Sequence, residues 1–278
     1  MCIYITSDLH LGVSVRGDRT VGGLARFLER RGTPEDILIV AGDIATDDEH
    51  ILQCLRLFHG FPGQKAAIAG NHDVWVEPNT ITSLARYQGL PGLFRQAGFH
   101  PLEELPLLHG QVGFAGALGW YDYSFSDARL NLPSEMYVQK PGWSDGQYVQ
   151  WGCSDSEVVE QQLRQLEVQL QWLQQQVKEV VVVMHHVPAF QLLSFPWARW
   201  LVPRQWRYLN AFLGSERFQE LFGQYRRLVR TVVCGHIHLA HAARVNGQKY
   251  VSIGSTYEGK QLLILEGGKI HRMQFLAA

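Results

Sequence analysis

Cysteine is scarce and scattered. The four residues, Cys2, Cys54, Cys153 and Cys234, form no CxxC pair in 278 residues. That excludes a disulfide framework and a thiolate zinc site, and it reads as reduced, mostly buried thiols of a cytosolic protein. Long apolar runs are missing as well; none approaches the roughly 20 residues that a membrane span requires. The N-terminus has no basic n-region, no apolar h-region and no small-residue cleavage site, so no signal peptide is expected. Charge of one sign is also lacking: the net charge is -1 and the sequence pI is near 6.9. No global basic field draws in nucleic acid or an acidic membrane surface, so any such partner must be gripped locally. Internal repeats are absent, and the only low-complexity tract is the short Gln174–Gln176 run. The expectation is a soluble cytoplasmic chain without a membrane partner.

What is present suffices for a large core, since 46% of the residues are hydrophobic. Short β-like runs alternate with helical patterns through the first half. Cys2–Thr6, Ile37–Ala41 and Ala66–Ala69 read as strands. Thr20–Arg31, His50–Phe58 and Ile81–Ala97 read as helices. This rhythm predicts a parallel sheet. Val112–Leu118 is another strand. From Gly119 to Gly152 the pattern breaks into a Gly-, Pro-, Ser- and aromatic-rich stretch, which reads as a lid or binding loop. Ser154 then caps a long helix whose Val159, Leu163, Leu166, Leu170, Leu173 and Val177 form one stripe. Fewer than four heptads are present, so the stripe is read as a helix laid on a sheet rather than a coiled coil. Val180–Met184 is a buried strand, and from Val229 onward short strands follow, with hairpin turns at Asn246-Gly247 and Gly267-Gly268.

The ends of the strands carry the chemistry. In order they release Asp8-Leu9-His10, Gly42-Asp43, Gly70-Asn71-His72-Asp73, His185-His186 and Gly235-His236-Ile237-His238. The carboxyl edge of an open α/β sheet is where ligands bind. In extended chain, residues i and i+2 point the same way, so Asp8/His10 and His236/His238 can each offer two ligands to one region. The glycines before Asp43, Asn71 and His236 allow a sharp turn and close approach. Any one of these motifs also fits a polar strand terminus, but five in succession behind buried strands do not. Asp, Asn and imidazole together suit Mn, Fe, Zn or Co.

This set of motifs resembles the calcineurin-like metallophosphoesterase superfamily, and the resemblance spans nearly the whole chain. It implies an α/β fold, a four-layered α-β-β-α sandwich of two mixed sheets flanked by helices. Residues 1–278 would then form a single domain, with an aromatic-rich insertion at 119–152 and an Arg/Trp-rich cap at 190–228. By motif position, Asp8, His10 and His238 would hold one metal, Asn71, His185 and His236 a second, and Asp43 would bridge them. Two divalent ions are implied, manganese first, with iron, zinc or cobalt as the others that this donor set takes. His72 would sit over the scissile ester and protonate the leaving group, held by Asp73, Asp47 or Asp48. His186 would stand behind the ligands or on the substrate side, and Gly254-Ser255 resembles the Gly-Ser that closes the family's site. Two ions roughly 3.5–4 Å apart would clamp the phosphoryl oxygens and share a hydroxide that attacks phosphorus in line. The phosphoprotein phosphatases of the superfamily continue the second motif as GDxxDRG, whereas this chain reads GDIATDDEH with no arginine. That departure favours a phosphodiesterase of nucleotide or nucleic acid type over a phosphomonoesterase; a scaffold member that binds partners through its aromatic loops is a further alternative. Arg199, Arg204 and Arg207, interleaved with aromatics, are candidate substrate-binding residues.

Overall fold

Successive residues of a strand face opposite sides of its sheet, and the central strands here bury both. In the computed structural model, which describes residues 1–78, 80–193 and 203–276, β1 (Ile3–Thr6) sends Ile3 and Ile5 into one apolar cluster and Tyr4 into another. Ile37, Ile39 and Ala41 of β2 (Ile37–Ala41) join Ile3 and Ile5, whereas Leu38 and Val40 join Tyr4. The Ile3 cluster also takes Val181 and Val183 of β7 (Glu179–Met184), Val233 of β8 (Val229–Cys234) and Val251 of β10 (Gln248–Ser252). It is the layer between two sheets. The second cluster lies outside them and includes Val21, Leu24 and Leu28 of α1 (Val15–Arg31) and Leu166, Leu170 and Leu173 of α6 (Asp155–Leu173).

Among the described residues each sheet has six strands. In the first, β1, β2, β3 (Gln64–Ile68) and β4 (His100–Pro101) run parallel, and β11 (Lys260–Glu266) and β12 (Lys269–Phe275) add antiparallel beyond β1. In the second, β6 (Val112–Ala117), β7, β8 and β10 run parallel, with β5 (Leu107–His109) and β9 (His241–Val245) antiparallel at the edges. Helices α1, α2 (Asp48–Arg56) and α3 (Ser83–Gln96) cover the first sheet, and α6 and α8 (Glu216–Gln224) the second. The α-β-β-α sandwich expected from the motifs is the observed fold. Both predicted hairpin turns carry positive φ at their two central residues, Asn246-Gly247 and Gly267-Gly268, as a type I′ turn requires.

Three differences have physical reasons. β4 and β5 are two and three residues long and partly exposed, too short for a periodic signal. α1 begins at Val15, ahead of the expected Thr20, because the Ser14 side chain accepts from Gly17 N and caps an extra turn. The 119–152 segment is ordered: it contains α4 (Ser134–Gln139) and α5 (Asp145–Tyr148) and is tied down by buried carboxylates. Asp155 accepts from Trp120 Nε1 (2.6 Å), the Tyr123 hydroxyl and Lys140 Nζ (2.8 Å).

α6 lies on the second sheet, and its glutamines explain its composition. Gln162 Oε1 accepts from the backbone N–H of Gly119 (2.7 Å) and Trp120 (3.0 Å). Gln169 bridges Gly116 N (3.1 Å) and the Glu103 carbonyl (2.8 Å). Buried backbone groups in the turns beside β6 thus find partners on the helix. The helix opens with a full capping box, Ser154 and Glu157 each closing on the other's backbone N–H. Ser154→Ala should remove about 1 kcal/mol, which a thermal melt would read as a Tm lower by about 2–4 °C; an unchanged Tm would show that the cap contributes nothing.

Candidate metal centre

β1, β2, β3, β7 and β8 bring their carboxyl ends to one edge, where the two sheets meet. Strand alternation is not what aims the side chains there. Asp8, His10, Asp43, His236 and His238 all adopt positive φ, between 46° and 69°. The extended i, i+2 geometry expected of Asp8/His10 and His236/His238 is therefore replaced by left-handed turns, which cost of order 1–3 kcal/mol per residue. Hydrogen bonds between the loops hold them. Asp8 N donates to the Gly42 carbonyl (3.1 Å), His10 N to Asp43 O (2.9 Å) and Gly235 N to His185 O (3.0 Å). The glycines permit this closeness: a Cβ at Gly42 would lie 2.7 Å from His185 Nδ1, at Gly70 2.2 Å from Asp43 Oδ1, and at Gly235 2.6 Å from Asp8 Oδ2. Of the three, only Gly42 also needs positive φ.

Two sets of donor atoms result. Those of Asp8, His10, Asp43 and His238 lie within 4.8 Å of one another, as do those of Asp43, His185 and His236. Asp43 belongs to both. In the first set, His10 Nε2 and His238 Nε2 face each other at 3.3 Å, with Asp43 Oδ2 3.5 Å from the former and Asp8 Oδ1 3.3 Å from the latter. In the second, Asp43 Oδ1 is 3.2 Å from His185 Nε2, and Asn71 Oδ1 is 3.1 Å from both His185 Nε2 and His236 Nδ1. His185 Nδ1 donates to the Ala41 carbonyl (3.0 Å), which leaves Nε2 for the centre.

Burial would raise both carboxylates, but their partners win. The His238 hydrogen bond and charge hold Asp8 down at about 2, and His185 and His72 hold Asp43 well below the ordinary range. Burial lowers His10 and His236 to about 3. At His185 burial works the same way, yet the Asp43 carboxylate outweighs it and lifts the ring to about 9. Two buried anions and several imidazole lone pairs aimed at shared points are what a divalent cation satisfies, in charge and in coordination. The residues fit two ions of the borderline class, and binding would displace the His185 proton.

His72 is joined to this centre by its backbone. Its N–H donates to Asp43 Oδ1 (3.0 Å), while its ring lies 3.9 Å from Asp43 Oδ2 and remains partly exposed. None of the three expected acids holds it. Asp73 is buried and its carboxylate accepts from Ile44 N (2.9 Å), Ala45 N (3.0 Å) and Gly70 N (2.7 Å), stapling the loops after β2 and β3. Asp47 caps α2 and pairs with His50 (2.7 Å), and Asp48 pairs with Arg86 (2.9 Å). The ring is instead stacked on Trp75, centroids 3.7 Å apart at 28°. His186 is fully buried behind His236, 4.2 Å ring to ring, so a substrate-side position is ruled out. Ser255 is buried and accepts from Gln261 N, in the turn that brings Tyr257 to 4.7 Å from His10.

Over the centre opens a cleft of about 410 Å³, walled by Trp75, Trp143, Trp206, Leu193, Leu213 and Tyr257. The insertion and the cap pack on each other beside it: Trp143 stacks on Phe212 at 5.7 Å, and the Tyr208 hydroxyl donates to Met136 O (2.9 Å). Of the candidate substrate-binding arginines, Arg204 is exposed at the start of α7 (Arg204–Leu209), and Arg207 lies 3.1 Å from Asp127. Neither lines the cleft, and Arg199 lies outside the described residues. Sequence reading missed Trp75, Tyr257 and Asp145. Trp75 and Tyr257 sit a few residues from motif positions, whereas Asp145 carried no signal beyond the aromatic density around it.

Comparison with known proteins agrees with this fold. PptH of Mycobacterium tuberculosis, an acyl-carrier-protein phosphodiesterase, is 30% identical over 140 residues, 48% of this chain and 41% of that protein, so less than half of the relative's length is matched. The crystal structure of phosphopantetheinyl hydrolase PptH from the same organism superposes with a TM-score of 0.68 at 21% identity, over 91% of this chain and 89% of that one. A dimetal phosphatase from Danio rerio superposes with a TM-score of 0.56 at 12% identity, over 100% of this chain and 99% of that one. At such identities the two structures speak for the fold alone. The family model of the calcineurin-like phosphoesterases matches residues 1–240, five strand ends included, and by that match this chain belongs to the calcineurin-like phosphoesterase family of metal-dependent phosphoester hydrolases.

Proposed function

We propose that this protein is a binuclear-metal phosphodiesterase. The observation that supports the reading most is the pair of donor sets sharing Asp43. Asp8, His10 and His238 would hold one ion, Asn71, His185 and His236 the other, and Asp43 both; manganese is the ion we favour. When bound, such ions supply Lewis-acid charge to the phosphoryl oxygens and acidify water. The chain's residues do the rest. Asn71 gives a neutral oxygen, which limits the negative charge among the ligands to two carboxylates and lets an anionic ester approach. His72, partly exposed beside the cleft and backed by Trp75, gives a proton to the departing alkoxide.

The wall of the cleft favours a diester. A diester carries one negative charge and two organic arms, and the indoles and aliphatic side chains around the centre suit an uncharged arm. A monoester carries a second charge that asks for a cation, and the described lining residues include no lysine or arginine. The substrate class named for PptH, a phosphodiester on an acyl carrier protein, meets this requirement, and we extend it to this chain. A nucleotide diester is the second reading: Trp206, 60% exposed at the cleft, offers a ring face to a base. The free cysteines accord with the cytoplasmic location proposed from the sequence.

Assayed with Mn²⁺, an aryl phosphodiester should be cleaved faster than the matching aryl phosphomonoester; the opposite order would overturn the diester reading. Asp43→Asn should lower metal content and cut activity about 10³-fold, some 4 kcal/mol of barrier. Full activity in that variant would sink the shared-carboxylate assignment. His72→Ala should keep its metals and lose about 10²–10⁴ in rate on alkyl esters, but far less on esters of acidic phenols. An equal loss across leaving groups would remove His72 from the role of acid.

A further inference from the structure

Asp145 lies on α5, in the insertion, far in sequence from every motif, yet its carboxylate is buried at the centre. Oδ1 accepts from Asn71 Nδ2 (3.0 Å) and Trp75 Nε1 (2.8 Å). Oδ2 accepts from Trp143 Nε1 (2.7 Å) and the Tyr121 hydroxyl (3.2 Å). Each oxygen faces an indole N–H, which can only donate, so both act as acceptors here. The NH₂ end of Asn71 must therefore face Asp145, and its oxygen must face His185 and His236. With its Nδ1 proton on the Ala41 carbonyl, a His185 that ligates an ion through Nε2 has no proton left to hold Asn71 Oδ1, so the amide's orientation rests on Asp145. An inverted amide has no lone pair to give an ion.

We propose that Asp145 is a positioning residue of the metal centre: it fixes Asn71 with Oδ1 toward the second ion position and, through Trp75, sets the plane of His72. The proposal rests on the binuclear reading above and adds to it the part played by the insertion. Asp155 is the internal comparison. It too gathers aromatic donors in the insertion, but it is paired with Lys140 and touches nothing at the centre. Holding the insertion down is a task that Asp155 has; orienting a ligand amide is one that Asp145 has.

The test counts Mn²⁺ ions by EPR during titration of wild-type protein, Asp145→Asn, Asp155→Asn and the double variant Asn71→Asp/Asp145→Asn, with near-UV CD of each apoprotein as the measure of fold. In the double variant a carboxylate stands at 71 and presents an oxygen to the ion whichever way the amide at 145 turns. Asp145→Asn should bind its first ion as wild type does and its second about 10–100-fold more weakly, the usual effect of losing an outer hydrogen-bond partner. The double variant should recover the second ion, and Asp155→Asn should bind both normally. Wild-type binding of both ions by Asp145→Asn would overturn the proposal. So would a weakening that the double variant does not reverse, or loss of apoprotein fold in both Asp145 variants; either would make Asp145 a packing residue. Fewer than two ions in the wild type would sink the binuclear reading itself, a separate result.

Discussion

Two carboxylates, Asp8 and Asp43, are buried where the sheets meet, and the rest of the structure answers that fact. A buried anion costs several kcal/mol unless it is paired and hydrogen-bonded. Here the pairing comes from imidazoles on four different strand ends, so the anions bind the two sheets to each other chemically as well as through the apolar layer of Ile3, Ile39, Val181 and Val233. Asp8 Oδ1 accepts the His236 N–H (3.1 Å) across the gap, and Lys260 Nζ, itself buried, donates to the Asp8 carbonyl (2.9 Å). Removing either carboxylate would leave a cluster of histidines without the charge that gathers them.

The price of this convergence is local strain, and the strain is distributed. Left-handed φ at Asp8, His10, Asp43, His236 and His238 is tolerated because each loop is hydrogen-bonded to its neighbour and because Asp73 staples three backbone N–H groups at once. Burial, and after it the charge of Asp43, raises Asp73 to about 7. A residue inside the third motif thus serves the backbone of the second and never reaches the cleft.

A second layer of acids organises the aromatic segments. Asp155 anchors the insertion beneath, Asp145 joins it to Asn71 and Trp75, and Glu103 meets Tyr87 and Ala69 N behind β3. Tryptophan and tyrosine need a partner for their polar atoms when buried, and a few carboxylates satisfy many of them. That is why a stretch rich in glycine and proline packs down, and why two of the cleft's indoles, Trp75 and Trp143, are hydrogen-bonded into its wall.

The sequence by itself determined the layered fold and the seven metal-ligand candidates. Buried strands announce themselves as continuous apolar runs such as Ile37–Ala41, and polar residues directly behind them stand out, so the five strand ends were legible as one constellation; the choice of Asp8, His10, Asp43, Asn71, His185, His236 and His238 among them came from the family resemblance that these motifs carry. The hairpins at Asn246-Gly247 and Gly267-Gly268 and the Ser154 cap were legible because their signals are local. Tertiary structure decided what depends on contacts across the chain. It replaced extended geometry with left-handed turns at the strand ends, gave Asp73 a backbone role, put Trp75 behind His72, and turned Arg207 toward Asp127. It also brought Asp145 to Asn71 across 74 positions of sequence. A carboxylate that serves a distant amide leaves no periodicity and no spacing to read, because its partner is chosen by the packing of two segments and not by its neighbours in the chain.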